Sequence, residues 1–160
     1  MLNLAPAVLL GVLLSACSPA IDDDTLFGSS VTPMDHDPSL TYVNDVYIDG
    51  NWVGSAGTGG STVASGITLP VKWRPGLTAV VQWERCEPYG KNCVKHEKVV
   101  PIHPYDEVGR TWLHILPEGE VVIIPAMLAP DHPDYPGPGY PVKDFYRDIE
   151  RAGLLKDDHE

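Results

Sequence analysis

From residue 41 onward the chain alternates apolar and polar residues in short runs, and glycine or proline separates each run from the next. Tyr42-Val-Asn-Asp-Val-Tyr-Ile48 is rich in β-branched and aromatic residues and stops at Asp49-Gly50, a dipeptide suited to a two-residue hairpin turn. Asn51-Trp52-Val53 follows, then a glycine-rich loop over residues 55–61 and a second β-prone run over 62–69. Pro70 and Pro75-Gly76 bracket residues 71–74, after which a strong strand is predicted over 77–83 and its return over 94–100. Two further runs, 111–116 and 120–124, flank the tight turn Pro117-Glu118-Gly119. Short strands at this spacing predict a mainly β fold, a single small antiparallel β-sandwich or barrel-like domain rather than βαβ units.

The pattern changes near the C-terminus. Residues 129–141 (APDHPDYPGPGYP) contain five prolines, each with a fixed φ and no N–H for a ladder, so an ordered wrap or an exposed loop is expected. Beyond it Val142, Phe145 or Tyr146, Ile149 and Ala152 recur at helical spacing between Pro141 and Gly153. That spacing predicts one amphipathic C-terminal α-helix over about residues 142–153.

The N-terminus follows another logic. Residues 4–14 are an apolar run of 11, too short for a helix to cross roughly 30 Å of hydrocarbon. At this position such a run reads as the core of a secretory signal. It ends in Leu14-Ser15-Ala16-Cys17, an aliphatic residue, two small ones and a cysteine, which is the lipobox pattern. Cleavage before Cys17 would leave its thiol to carry diacylglycerol and its amine to be acylated. No Lys or Arg precedes the run, so its positive charge rests on the free amine or on residues upstream. Residues 18–40 are rich in Ser, Thr, Pro and Asp and poor in apolar side chains, the composition of a solvated tether. The expected organisation is a lipoprotein signal peptide over 1–16, a lipid-anchored flexible tether over 17–40 and a β-rich domain over 41–160. The expected location is the periplasmic face of a bacterial membrane. Ser18 directly after the cysteine is the enterobacterial pattern for the outer membrane.

Charge narrows the partners. The net charge is −11, of which residues 18–40 contribute −5, residues 41–141 only −4 and residues 142–160 −2. A mildly acidic domain argues against nucleic acid and anionic headgroups as ligands and is compatible with a basic protein partner. Once the signal is removed, Cys86 and Cys93 remain beside Cys17, bracketing Glu-Pro-Tyr-Gly-Lys-Asn. In an oxidising compartment the pair reads as a disulfide across a hairpin.

The catalytic motifs sought are absent or fail on the residue that matters. There is no G-x-S-x-G elbow and no H-E-x-x-H, and the near-P-loop that starts at Gly54 has Gly60 where lysine must reach the phosphates. Asp35-His36-Asp37 and Asp131-His132-Pro-Asp134 are loose candidates for metal ligation, and His96, His103 and His114 fall in or beside strands as expected of structural histidines. No catalytic residue, metal, cofactor or small-molecule substrate is therefore expected. Most aromatic side chains should fill the core. Tyr135 and Tyr140 are the exceptions, because they lie in the proline-rich segment. With Asp131, Asp134 and Asp144 they are the candidate exposed residues for partner recognition.

Several motifs resemble those of a family of short bacterial lipoproteins classed as a domain of unknown function. They are Tyr47-Ile-Asp-Gly-Asn-Trp-Val-Gly54, Gly57-Thr-Gly-Gly-Ser61, Leu69-Pro-Val-Lys-Trp-Arg-Pro-Gly-Leu77, Val81-Gln-Trp83 and His132-Pro-Asp-Tyr-Pro-Gly137. Members of that family often lie beside phospholipase effectors of the type VI secretion system and act as their immunity proteins. Family members commonly carry a Cys-Cys pair just before the P-x-K-W-R-P-G-L string, where this chain has Val63-Ala64-Ser65. The resemblance implies a periplasmic, lipid-tethered, non-enzymatic binder of a phospholipase toxin. The alternative is a structural or assembly adaptor of the envelope.

Overall fold

The computed structural model describes residues 22–57 and 65–154, apart from the side chains of Phe145 and Tyr146. The stretch expected to be a signal peptide, Cys17 and most of the glycine-rich loop lie outside the described residues. Among the described residues eight strands are formed: β1 (Leu26–Asp35), β2 (Tyr42–Ile48), β3 (Asn51–Ala56), β4 (Gly66–Pro70), β5 (Thr78–Glu87), β6 (Lys91–Pro101), β7 (Arg110–Ile115) and β8 (Val121–Ala126). The helix α1 (Phe145–Arg151) follows. The strands make two four-stranded sheets, ordered β4-β1-β7-β8 and β3-β2-β5-β6. Val31, Val46, Ile48, Val53, Val81, Leu113, Ile115 and Ile123, all fully buried, fill the space between them. The protein is thus mainly β and sandwich-like, as its patterning predicts. One pairing departs from the antiparallel expectation, because β1 runs parallel to β7, with Val31 opposite Thr111 and Asp35 opposite Ile115.

β1 corrects the expected organisation. Residues 26–35 fall within the stretch assigned to a flexible tether, yet they form an inner strand of the first sheet. From Val31 to Asp35 the strand is buried on both faces: Val31 points into the core, while Thr32 and Met34 pair with Trp112 and His114 on the outer face. Its Ser29 is held by distant partners, with Oγ 2.7 Å from both the Gly109 carbonyl and Thr111 Oγ1, whereas the buried Thr32 Oγ1 meets no partner among the described residues. Pro33, which cannot donate, lies beyond the five residues that pair with β4. There Gly57 takes over as neighbour, its N–H donating to the Pro33 carbonyl and its carbonyl accepting from Asp35.

The proline-rich segment is an ordered wrap. It runs along the outer face of the first sheet and makes a second apolar layer from Met34, Trp112, Ile124 and Tyr135, with Leu128, Ala129 and Tyr140 packed against it. A segment that cannot join a ladder can still cover one, since its prolines carry no N–H to leave unpaired. The wrap departs from β8 next to Gly109, where a Cβ would sit 2.2 Å from the Ala126 carbonyl oxygen and 2.6 Å from the Met127 nitrogen. Backbone cannot yield as a side chain can. Gly109→Ala should therefore lower stability by about 1–3 kcal/mol, whereas Gly28→Ala, with nothing within 4 Å, should leave it unchanged. The urea midpoints of the two variants check this.

α1 is shorter than the predicted helix and starts later. Asp144 caps it, its Oδ1 accepting from the Arg147 N–H at 3.2 Å, so Val142 stands outside the helix and fully exposed. Ile149 is its buried contact. Gly153 ends it as predicted, with φ 67°, and the Leu154 N–H returns to the Ile149 carbonyl. Cys86 and Cys93 have their sulfurs at disulfide distance, 2.05 Å, across the β5–β6 hairpin. At the hairpin tip the Tyr89 hydroxyl donates to the Leu154 carbonyl.

Candidate functional site

The sandwich has two unlike ends. One holds the start of β1, the end of β4 and the turn at 71–77. The other gathers the end of β1, the β5–β6 hairpin and the lead-in to α1, and here the chain buries charge. Asp35, 2% exposed, closes β1 from inside the sandwich. Arg85 reaches it from β5 in the facing sheet, Nη2 to Oδ1 at 3.0 Å, and Lys143 reaches it from the end of the wrap, Nζ to Oδ2 at 3.1 Å. Lys143 also donates to the Thr41 carbonyl, and Arg85 donates to Thr41 Oγ1 at 3.0 Å and pairs with Asp37 at 3.2 Å. Two carboxylates thus meet two cations, and three distant parts of the chain are tied at one point. Burial alone would raise the Asp37 carboxyl. The Ser39 N–H and hydroxyl, with the charges of Arg85 and Lys143, outweigh that and hold it below its ordinary value.

A row of hydrogen bonds runs beside this cluster. His36 Nε2 lies 2.8 Å from His114 Nδ1, and His114 Nε2 lies 2.7 Å from the Tyr135 hydroxyl. His114 is fully buried, and burial, reinforced by the neighbouring His36, pushes its pKa down to about 3. Burial also lowers His36, against the opposing pull of Asp35, and raises the Tyr135 phenol. Both nitrogens of His114 are engaged, so the neutral ring couples β1 to the wrap and offers no atom to a ligand.

The accessible candidate is elsewhere. The outer face of the first sheet lies under the wrap, whereas that of β3-β2-β5-β6 is open. A register shift in β2 between Val43 and Val46 places Asn44 and Asp45 as a bulge and re-aims Asp45 across the face. There its Oδ1 accepts from the Trp52 indole N–H at 3.0 Å, which orients an aromatic ring that is 46% exposed. Gln82 Nε2 donates to Glu97 Oε2 at 2.6 Å on the neighbouring strands. Asp45, Tyr47, Gln82, Glu84, Lys95 and Glu97 surround an open concavity of about 570 Å³. Behind it Trp83 is buried, with His96 stacked on it at 5.0 Å. Three carboxylates, one ammonium, a phenol and an indole on a rigid sheet make a surface for recognition.

The residues proposed from sequence for recognition do not come together. Asp131 and Asp134 are exposed, Asp134 in a turn where its N–H donates to His132 Nδ1. Tyr135 is a correction: it is buried, 8% exposed, with its hydroxyl on His114. Tyr140 is partly buried with its ring edge-on to Trp112 at 6.0 Å, and Asp144 is spent on the helix cap. Sequence reasoning missed Trp52. The signal was present, since alternation through 51–53 sends Trp52 outward once Val53 points in. Among the described residues one group has metal-like spacing, Glu84 with Cys86 and Cys93, and the disulfide takes both sulfurs.

No curated protein and no solved structure matches the chain. A family model does: that of a protein of unknown function (DUF3304), over residues 36–123. The stretch begins directly after β1 and ends within β8, so it spans both sheets and leaves out the wrap and α1. Because that match takes in more than half of the sequence, the chain belongs to the DUF3304 family.

Proposed function

We propose that the chain is a periplasmic immunity protein, anchored through an acylated Cys17, that neutralises a phospholipase effector of type VI secretion by stoichiometric binding and not by catalysis. The observation that supports the reading is the open sheet face that carries Trp52 at its edge. A half-exposed indole held by its own hydrogen bond keeps little freedom to lose on binding. Tryptophan is also among the residue types that carry most interface energy. The carboxylates of Asp45, Glu84 and Glu97 suit a basic patch on the partner. Anchoring would confine the binder to the surface under attack and raise its effective concentration there.

Mixing the acylated protein with its cognate phospholipase effector should give a one-to-one complex and abolish lipid hydrolysis. Trp52→Ala combined with Glu84→Lys should weaken binding by about 100-fold or more, since hot-spot truncations cost about 2 kcal/mol or more. Asp134→Ala, away from this face, should leave binding unchanged. Hydrolysis that persists with the protein in excess would sink the reading. Envelope leakage after deletion in cells lacking the effector would favour the adaptor instead.

A further inference from the structure

The start of β1 presents two large apolar side chains to solvent, Leu26 at 63% exposure and Phe27 at 47%. They stand at the same end as the 71–77 turn, because Leu26 pairs with Pro70 and Phe27 with Leu69. The acidic residues that precede them are clamped onto that turn: Asp23 lies 2.7 Å from Lys72 and Asp24 2.5 Å from Arg74. Each pair neutralises a carboxylate that would otherwise oppose an anionic surface. The chain between Cys17 and Asp22 is only five peptide steps, a fully extended reach of about 18 Å. The ten residues of β1 then run about 30 Å to Asp35 at the far end. An acyl chain on Cys17 therefore holds one end of the sandwich against the bilayer and keeps the buried-charge end away from it.

We propose that this end is a second membrane contact, in which Leu26 and Phe27 enter the headgroup region of the bilayer that holds the lipid anchor. The inference rests on acylation at Cys17, as proposed above, and adds a docked orientation to what would otherwise be a leash. Its occupant is a lipid surface, because the covalent lipid starts within reach of these two side chains and no other surface is delivered there by the chain itself. With the sandwich standing on this end, the Trp52 face rises along the membrane normal and stays open to a partner arriving at the surface.

The experiment uses the acylated full-length mature protein, reconstituted in phosphatidylethanolamine and phosphatidylglycerol vesicles. A bimane probe is placed either at Gly28→Cys, where a Cβ meets nothing within 4 Å, or at Arg151→Cys, exposed on α1 at the opposite end. Brominated lipid should quench the probe at 28 at least about twofold more than the probe at 151, as expected for insertion of 5–10 Å. The difference should persist in high salt, since the contact is apolar. Leu26→Ser with Phe27→Ser should abolish it while the protein still unfolds in one cooperative urea transition, since both side chains are exposed over about half their surface or more. Equal quenching at both positions in protein whose mass shows the acyl chains overturns docking and leaves the anchor standing. Quenching that survives the double serine variant overturns the role of Leu26 and Phe27. A protein that carries no fatty acid overturns both the anchor and the contact built on it.

Discussion

Asp35→Ala should destabilise the domain by about 3–5 kcal/mol, the range found when one partner of a buried ion pair is removed. The size follows from what stays behind. Lys143, whose side chain is 3% exposed, would lose the Asp35 carboxylate, and Arg85 would lose one of its two acidic partners. Replacing both members, Asp35→Leu with Lys143→Met, should cost much less than the two single substitutions added together, because an apolar pair needs no solvation. A double-mutant cycle on urea midpoints, at unchanged m, measures the coupling. A cost below about 1 kcal/mol for Asp35→Ala, the ordinary worth of an exposed pair, would show that water reaches the cluster. Purely additive costs would show that the two residues do not act together. The cluster also bears on the wrap. Lys143 ends that segment, so its loss should speed amide exchange along residues 129–141 before the sheets open.

How much of this was legible beforehand depends on how local each determinant is. The β2–β3 turn could be read from Asp49-Gly50 because both residues adopt the positive φ the dipeptide favours, 49° and 79°. The β7–β8 turn was as plain, with Glu118 and Gly119 at 64° and 77°. Gly153 marked the helix end for the same reason. β1 could not be read, since a strand buried on both faces loses the alternation that announces strands. Its Ser29 looks like tether composition until Gly109 and Thr111, some eighty residues away, are seen to receive it. Tyr135 was misplaced by a sound local rule pushed one step too far. Prolines do exclude the segment from a ladder, yet nothing in that rule stops it from lying on top of one. The open face was half visible, in that the outward position of Trp52 follows from alternation. The bulge that turns Asp45 toward it depends on pairing with two other strands.

Stability should fall steeply as the pH drops from about 6.5 toward 3, and His114 should be the main cause. Its pKa is about 3 in the folded protein against an ordinary 6.5, because burial strips water from the imidazolium and His36 adds to the penalty. Below pH 6.5 the unfolded chain therefore binds a proton that the folded chain refuses, and each pH unit shifts the balance toward unfolding by up to about 1.4 kcal/mol. The stability is complete above the ordinary value, is lost progressively between the two values and changes no further below the lower one. The full effect is on the order of 5 kcal/mol, a large share of the 5–15 kcal/mol that holds a typical domain together. His36, also lowered, acts in the same direction but more weakly, being partly exposed. Asp37 adds its own loss only below the ordinary carboxylate value of 3.8. The window from pH 6.5 to 4.5 therefore isolates the histidines. Replacing His114 by Leu together with Tyr135→Phe removes both partners of the buried hydrogen bond and leaves only His36, which is partly exposed to water, without its former partner. That variant should show a much flatter urea midpoint across the window, with His36 supplying what slope remains, whatever its stability at neutral pH. A slope equal to that of the wild-type protein would assign the acid sensitivity to other groups. In the wild-type protein the first consequence of protonation should be local. An imidazolium at position 114 is held away from water under the wrap, so the wrap should lift from the first sheet to hydrate it before the sandwich itself unfolds, and amide exchange at 132–140 should lead that of β7.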